Sequence, residues 1–434
     1  MLLRPGKLAN RGQTLFDRWG YPVFGYDLLA AGELPDDVVH TRASGDTAFD
    51  ANGVLHALSD NEPAFDHEYV NGVWVPRGLR SWSSRQNRLW RSQEFDHADW
   101  TPASVVVTPN SNPGLVNGTT AYTMASNGGP ALARIRQSRS MSVAGEKMLA
   151  GFYVRYINNP WVAIRFAGSA LSAAAYAWFN IETGELGSIL NNIVGYDIID
   201  YGDNGYLIWA QTTADGTTPS AANVEICLAD SDGSTSAIAA GAQVELLAAQ
   251  HEPTSYPTAY VPSLGSSAAA SAVPFTKITD LSTIPGYSTS EGTIAVKVRT
   301  GVYQDQNNPT VFDLSDGTNN ERIVMYANIV GEDFRLSVRN GAATAWQQSG
   351  LSSLEPNTEY TAVLAWKSND FAATVNGEAL VTDASAVVPV DAVLFRVGTQ
   401  YNADNNHMNG NFQRALYFNR RLTNDAVLAL GAGL

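Results

Sequence analysis

The chain has 434 residues, enough for two or three domains, each with its own core. Only 16% of its residues are charged, and 27 Lys and Arg stand against 42 Asp and Glu, a net charge of −15. That balance argues against a dedicated nucleic-acid groove, which needs clustered cations, and the single Cys227 excludes an intrachain disulfide framework or a zinc cluster.

At the N-terminus, Met1 to Lys7 include basic residues but no apolar run long enough for a secretory signal. Nothing along the chain approaches about 18 consecutive apolar residues, so neither a leader nor membrane insertion is expected. Residues 1–75 mix short strand-like runs, such as 21–26, with Pro, Gly and Asp turns. A core drawn from them alone would be small, which predicts an attachment or oligomerisation region that borrows stability from a partner. Trp19, Tyr21, Phe24, Tyr26, Phe65 and Trp74 would then bury against symmetry mates or an anchor.

Residues 76–262 read as antiparallel β. The runs 152–157, 161–166, 176–181 and 206–211 alternate with period two, and turn residues such as Asn158-Asn159-Pro160, Thr183-Gly184 and Asp203-Asn204-Gly205 bound them. Such strands, with no helical segment between them, predict a sandwich. Cys227 lies in the alternating run 223–228, which makes it a buried core thiol. Residues 263–274 form a linker whose small, unpatterned stretch 263–272 would be a flexible, protease-sensitive spacer. Residues 275–434 read as a second all-β unit, with strands near 291–298, 334–339, 362–366 and 394–398, a hairpin signal at Asn376-Gly377 and a short helix over 424–430. The fold class is therefore all-β: two antiparallel β-sandwich domains after a short N-terminal region.

Catalytic patterns are sparse. The six histidines lack the i,i+4 spacing of a zinc helix, and no nucleophile elbow or phosphate-binding loop occurs. Asp197 and Asp200 are a carboxylate pair of the kind glycosidases use, but two acids in one loop read first as a solvated turn, so no enzymatic activity is expected. The loops 313–320 and 402–406 offer oxygen ligands that would suit Ca²⁺, and plain turn formation explains them equally well; no other cofactor is expected. The best constellation is aromatic. Period two puts Val162, Ile164, Phe166 and Phe179 on a core face, and Trp161, Arg165, Tyr176, Trp178, Tyr153 and Arg155 on the opposite one. There Trp161 and Trp178 would form a stacking platform for sugar rings and Arg165 a polar clamp. The rival reading packs the same aromatics under a loop or against a neighbouring subunit.

Two phrases carry a resemblance. The first is Arg85-Gln86-Asn87-Arg88-Leu89, with Ser92, Glu94, Phe95 and Trp100; the second is Gly241-Ala242-Gln243-Val244-Glu245, then Ser255-Tyr256-Pro257-Thr258 to Pro262. Together they resemble the start and end of a carbohydrate-binding-module-like jelly roll found in virion proteins of tailed bacteriophages, and residues 42–68 resemble its usual lead-in. The stretch 410–423 is similar to the last strand of laminin-G/concanavalin-like domains. The resemblance implies a virion surface protein of head-fibre, decoration or tail-fibre type, made in the host cytoplasm. It also implies a homotrimer whose partners are other virion proteins and host-surface glycans.

Overall fold

The computed structural model describes residues 20–29, 32–140, 145–215, 221–265, 269–272, 274–278, 280–301, 308–341, 343–402 and 406–434. Its strands form four large antiparallel sheets, paired face to face as two sandwiches, and two short two-stranded ladders. In the first sandwich, sheet I runs in the order Ile193–Asp200, Gly205–Thr213, Lys147–Tyr156, Gln243–Glu252, Thr120–Ser126, Val105–Pro113. Sheet II runs Glu185–Leu190, Ala175–Asn180, Trp161–Gly168, Ala221–Ala229, Arg134–Ser140, Thr101–Ala103. Alternation sends Phe152 and Val154 from one sheet, and Val162, Ile164, Phe166 and Phe179 from the other, into one enclosed core. Each such side chain contributes about 1.5–3 kcal/mol by leaving water. This is the core face expected from the sequence.

The second sandwich is built from both ends of the chain. Sheet III runs Val381–Asp383, Asp370–Val375, Glu359–Lys367, Glu291–Arg299, Gly410–Phe418, Val73–Ser81, Phe65–Val70, and Phe24–Asp27 also pairs with Gly410–Phe418. Sheet IV runs Val38–Thr41, Phe275–Ile278, Leu394–Val397, Thr310–Ser315, Arg322–Asn328, Asp333–Asn340, Ala343–Gln348. Sheet III is apolar on both faces. Ile294, Val296 and Val298 face sheet IV, while Ala295, Val363 and Leu416 pack under the helix Asn424–Gly433. Thr423 caps that helix by accepting the Ala426 N–H. At Gly377, with φ at +69°, a Cβ would stand 2.5 Å from the Leu428 carbonyl oxygen, so the Asn376-Gly377 turn needs glycine for the helix to approach.

Residues 20–81, most of the region read as 1–75, pack into the second sandwich. Phe24–Asp27 pairs with residues 414–417, Val38–Thr41 with Phe275–Ile278, and residues 79–81 with 410–412, so the first sandwich is an insertion within the second. Phe24 and Tyr26 are buried in the shared core, Phe24 stacked on Tyr417 at 5.2 Å. Short strands that cannot enclose a core of their own complete an existing one. Trp19 lies outside the described residues, and Tyr21 is exposed. The expected spacer is stitched as well: Ala269–Ser271 pairs with Arg85–Asn87, and Arg85 donates to the Ser271 hydroxyl at 3.0 Å; residues 266–268 lie outside the described residues.

The opening and closing phrases of the first sandwich meet side by side. Asn87 is fully enclosed. Its Nδ2 donates to the carbonyls of Ala249 and Val261, and its Oδ1 accepts from the N–H groups of Leu89 and His251. Below it the Ser92 and Tyr260 hydroxyls are 2.6 Å apart, and Phe95 packs on Trp100 at 5.1 Å.

Two outcomes follow from this architecture. A fragment beginning at Phe275 lacks the strands that close both sheets, so it should show no cooperative thermal transition, whereas the full chain should; a fragment with a native-like transition would contradict the shared core. The second concerns His251, which is fully buried: burial lowers its pKa to about 4, and its Nδ1–H donates to the Leu149 carbonyl. Since the unfolded pKa is about 6.5, the unfolded chain binds the extra proton between these values. Stability should therefore fall as pH drops from about 6.5 to 4, by up to about 3 kcal/mol. Chemical denaturation across that range should show the slope, flattened in His251→Gln.

Candidate functional site

The six aromatic and arginine residues singled out in the sequence divide between two faces of the first sandwich. Trp161, Arg165, Tyr176 and Trp178 stand on the outer face of sheet II, but Tyr153 and Arg155 belong to Lys147–Tyr156, in the other sheet. The sheet II group is closed. Trp178 is only 1% exposed, its Nε1–H donating to the Ser234 carbonyl of a loop that lies over it, and its ring stacks on Tyr176 at 5.1 Å. Arg165 donates from Nε to the Tyr176 hydroxyl and from Nη1 to the enclosed Glu225 carboxylate, which Arg134 also reaches. The platform and clamp are spent on each other, and Trp161 alone of the two indoles stays half-buried. Cys227 is buried in the same cluster, where burial pushes its thiol pKa well up. The loop explains the misreading: period two says which face a ring occupies, not what covers it. Gly187 carried a local signal, because a Cβ there would meet Trp161 at 2.7 Å and Trp178 at 2.9 Å.

Sheet I carries the open site. Between its outer face and the N-terminal hairpins lie two adjoining clefts of about 340 and 420 Å³. The first is lined by Trp209 and Tyr256, with ring centroids 5.8 Å apart and Tyr256 44% exposed, and by Trp82 and Asn411. The indole N–H groups of Trp82 and Trp209 and the Asn411 amide nitrogen are enclosed and have no hydrogen-bond partner among the described residues. Charged groups in this cleft are largely paired: Glu68 with Arg77 at 2.6 Å and Arg299 at 3.0 Å, and Asp66 with Arg80 at 2.9 Å. Asp197 and Asp200 lie exposed at its edge on the strand Ile193–Asp200, not in the loop expected, and accept the backbone N–H groups of Ile198 and Gly202.

Phe49, Tyr69, Tyr153 and Tyr201 line both clefts. Tyr201 packs on Phe49 at 5.1 Å and on Tyr153 at 5.3 Å, and Tyr153 on Tyr260 at 5.7 Å. Burial with neighbouring phenols pushes the Tyr153 pKa well up, so its hydroxyl stays neutral. Trp74 and Tyr206 line the second cleft, together with Arg155, which is held by Glu245 at 3.0 Å. Flat apolar rings beside fixed donors and acceptors suit a ligand with C–H faces and many hydroxyls. The sequence did not single out Trp82, Trp209 or Tyr256. For Trp209 the signal existed, since it alternates with the core residues Ile208 and Ala210.

Among the described residues no group of three or more His, Cys, Asp or Glu side chains could hold a metal ion. Asp313 is buried between Arg322 and Arg396, and Asp316 accepts from the Thr318 N–H and hydroxyl in a plain turn; residues 403–405 of the other loop lie outside the described residues. Among the described residues no helix is long and apolar enough to cross a membrane.

Because Trp178 is enclosed, Trp178→Ala should cost about 3–5 kcal/mol of stability, read by denaturant unfolding. A variant within about 0.5 kcal/mol of the parent would return it to the exposed class.

No family model matches the chain, and no curated protein matches it. Among solved structures the chain is similar to the CBM40 domain of the Ruminococcus gnavus IT-sialidase bound to α2,3-sialyllactose, at 16% identity, with 36% of this chain and 91% of that one covered and a TM-score of 0.30. It is also similar to sheep galectin-11 in complex with glycerol, at 10% identity over 30% of this chain and 90% of that one, with a TM-score of 0.23. A third is the native heptameric SAP-like pentraxin of Limulus polyphemus, at 14% identity over 32% and 69%, with a TM-score of 0.24.

Proposed function

We propose that this chain is a non-catalytic surface protein of a bacteriophage virion that binds host-surface polysaccharide in the clefts between its two sandwiches. The observation that carries the glycan reading is the first cleft, where the Tyr256 ring, 44% exposed and backed by the buried Trp209, stands among the exposed polar side chains of Asp197, Asp200 and Asn357. A saccharide offers a ring face to the exposed phenol and hydroxyls to the carboxylates and the amide. The arginine pairing of Glu68 and Asp66 supports binding over hydrolysis, since their oxygens are taken up by guanidinium groups rather than free to reach a glycosidic oxygen. The virion assignment rests on the resemblance of the two jelly-roll phrases to phage structural proteins, and the homotrimer on that resemblance alone.

One observation favours a second reading, a structural decoration or tail component whose sandwiches pack against other subunits. The edge strands Glu185–Leu190 and Ile193–Asp200 expose Leu186, Ile189, Leu190 and Val194, each 44–59% accessible. Unpaired apolar edges are natural packing surfaces.

Immobilised host polysaccharide should retain the full chain, and Tyr256→Ala should weaken retention about tenfold without changing thermal stability, because an exposed ring contributes to the ligand and little to the core. No new reducing ends should appear. Retention by virion subunits but by no glycan would establish the second reading, and released reducing ends would make the protein a depolymerase. Light scattering tests the trimer.

A further inference from the structure

We infer that the two clefts are consecutive subsites for one linear polysaccharide, so that the ligand is an internal run of about four neutral sugars rather than a chain end. This deepens the glycan-binding reading and rests on it.

The clefts adjoin, since Phe49, Tyr69, Tyr153 and Tyr201 line both. Each has the volume of a small-ligand pocket, roughly 300–1,000 Å³, which suits one or two sugar rings. A site for a terminal sugar needs a closed end. Here the outer limits are open, with Tyr256 44% exposed in the first cleft and the Asp203 side chain 89% exposed in the second. Accessible aromatic surface recurs on both sides of the shared wall, Tyr256 in one cleft, Trp74 and Tyr206 in the other, as a polymer that repeats its ring faces requires.

Glycine backbone packs directly on rings that line the second cleft. A Cβ on Gly53 would stand 2.2 Å from the Trp74 indole nitrogen, and one on Gly202 would meet the Tyr69 ring at 3.0 Å. Charge selects neutral sugars. Arg77, Arg80, Arg299 and Arg155 are each paired with a carboxylate, whereas Asp197 and Asp200 at the edge would repel a uronic acid.

The test is calorimetric titration of the full chain with cello-, malto- and chito-oligosaccharides of two to six units, beside the host polysaccharide. In a series that binds, affinity should rise about tenfold or more between two and four units and then level, since the second cleft adds contacts at high effective concentration. Asn117 is exposed at the second cleft, so Asn117→Trp fills it without touching a core. Asn117→Trp and Tyr256→Ala should each reduce tetrasaccharide affinity to that of the disaccharide. Equal affinity for two and four units, or a tetrasaccharide indifferent to Asn117→Trp, overturns the two-subsite inference and leaves the glycan reading standing. Failure of every oligosaccharide and of the polysaccharide removes the glycan reading itself.

Discussion

One buried carboxylate ties the two sandwiches together. Asp46 is nearly enclosed and faces three guanidinium groups, those of Arg42 at 3.7 Å, Arg80 at 3.1 Å and Arg85. Each comes from a different crossing of the chain: Arg42 follows the sheet IV strand Val38–Thr41, Arg80 lies on the sheet III strand Val73–Ser81, and Arg85 opens the inserted jelly roll. Burial alone would push the Asp46 carboxyl up, but the three arginines, with the Thr47 N–H, outweigh it and hold the pKa at about 2. Such a group contributes little net stability over a well-packed apolar substitute, yet losing one partner strands a charge at a cost of about 3–5 kcal/mol. Its value here is geometric, because a carboxylate satisfied by three strands accepts only one arrangement of them.

That arrangement determines where the clefts lie. With Arg80 and Arg85 fixed to the same carboxylate, the hairpin of Phe65–Val70 and Val73–Ser81 is carried over the outer face of sheet I. The walls of the first cleft then come from stretches far apart in the chain: Trp82 beside the junction, Tyr153 and Trp209 in the jelly roll, and Arg299 and Asn411 in sheet III. Neither sandwich has this site by itself. The insertion topology and the candidate site are one property of the fold.

This also accounts for what could be read from the sequence. The strands of both sandwiches and the core face of Val162, Ile164 and Phe166 follow from patterns within a short window. What was missed depends on partners hundreds of residues away. The run 21–26 is strand-like, but nothing near it says that its partner is residues 414–417. Tyr153 was placed on the outward face of its strand, and the rings that cover it are Tyr201 and Tyr260, which no periodicity connects to it. Trp178 fails in the same way, through a loop fifty-odd residues on.

Three indoles on the outer faces of sheets I and II and at the junction show how binding surface differs from structural surface. The Trp178 N–H reaches the Ser234 carbonyl, so burying it leaves nothing unsatisfied. The N–H groups of Trp82 and Trp209 are equally enclosed and reach no acceptor among the described residues. An enclosed donor without a partner costs about 1–3 kcal/mol, and the amide of Asn411 adds a third in the same cleft. What separates the first cleft from the sheet II face is access: Tyr256 is 44% exposed there, whereas the Ser234 loop leaves Trp178 1% exposed.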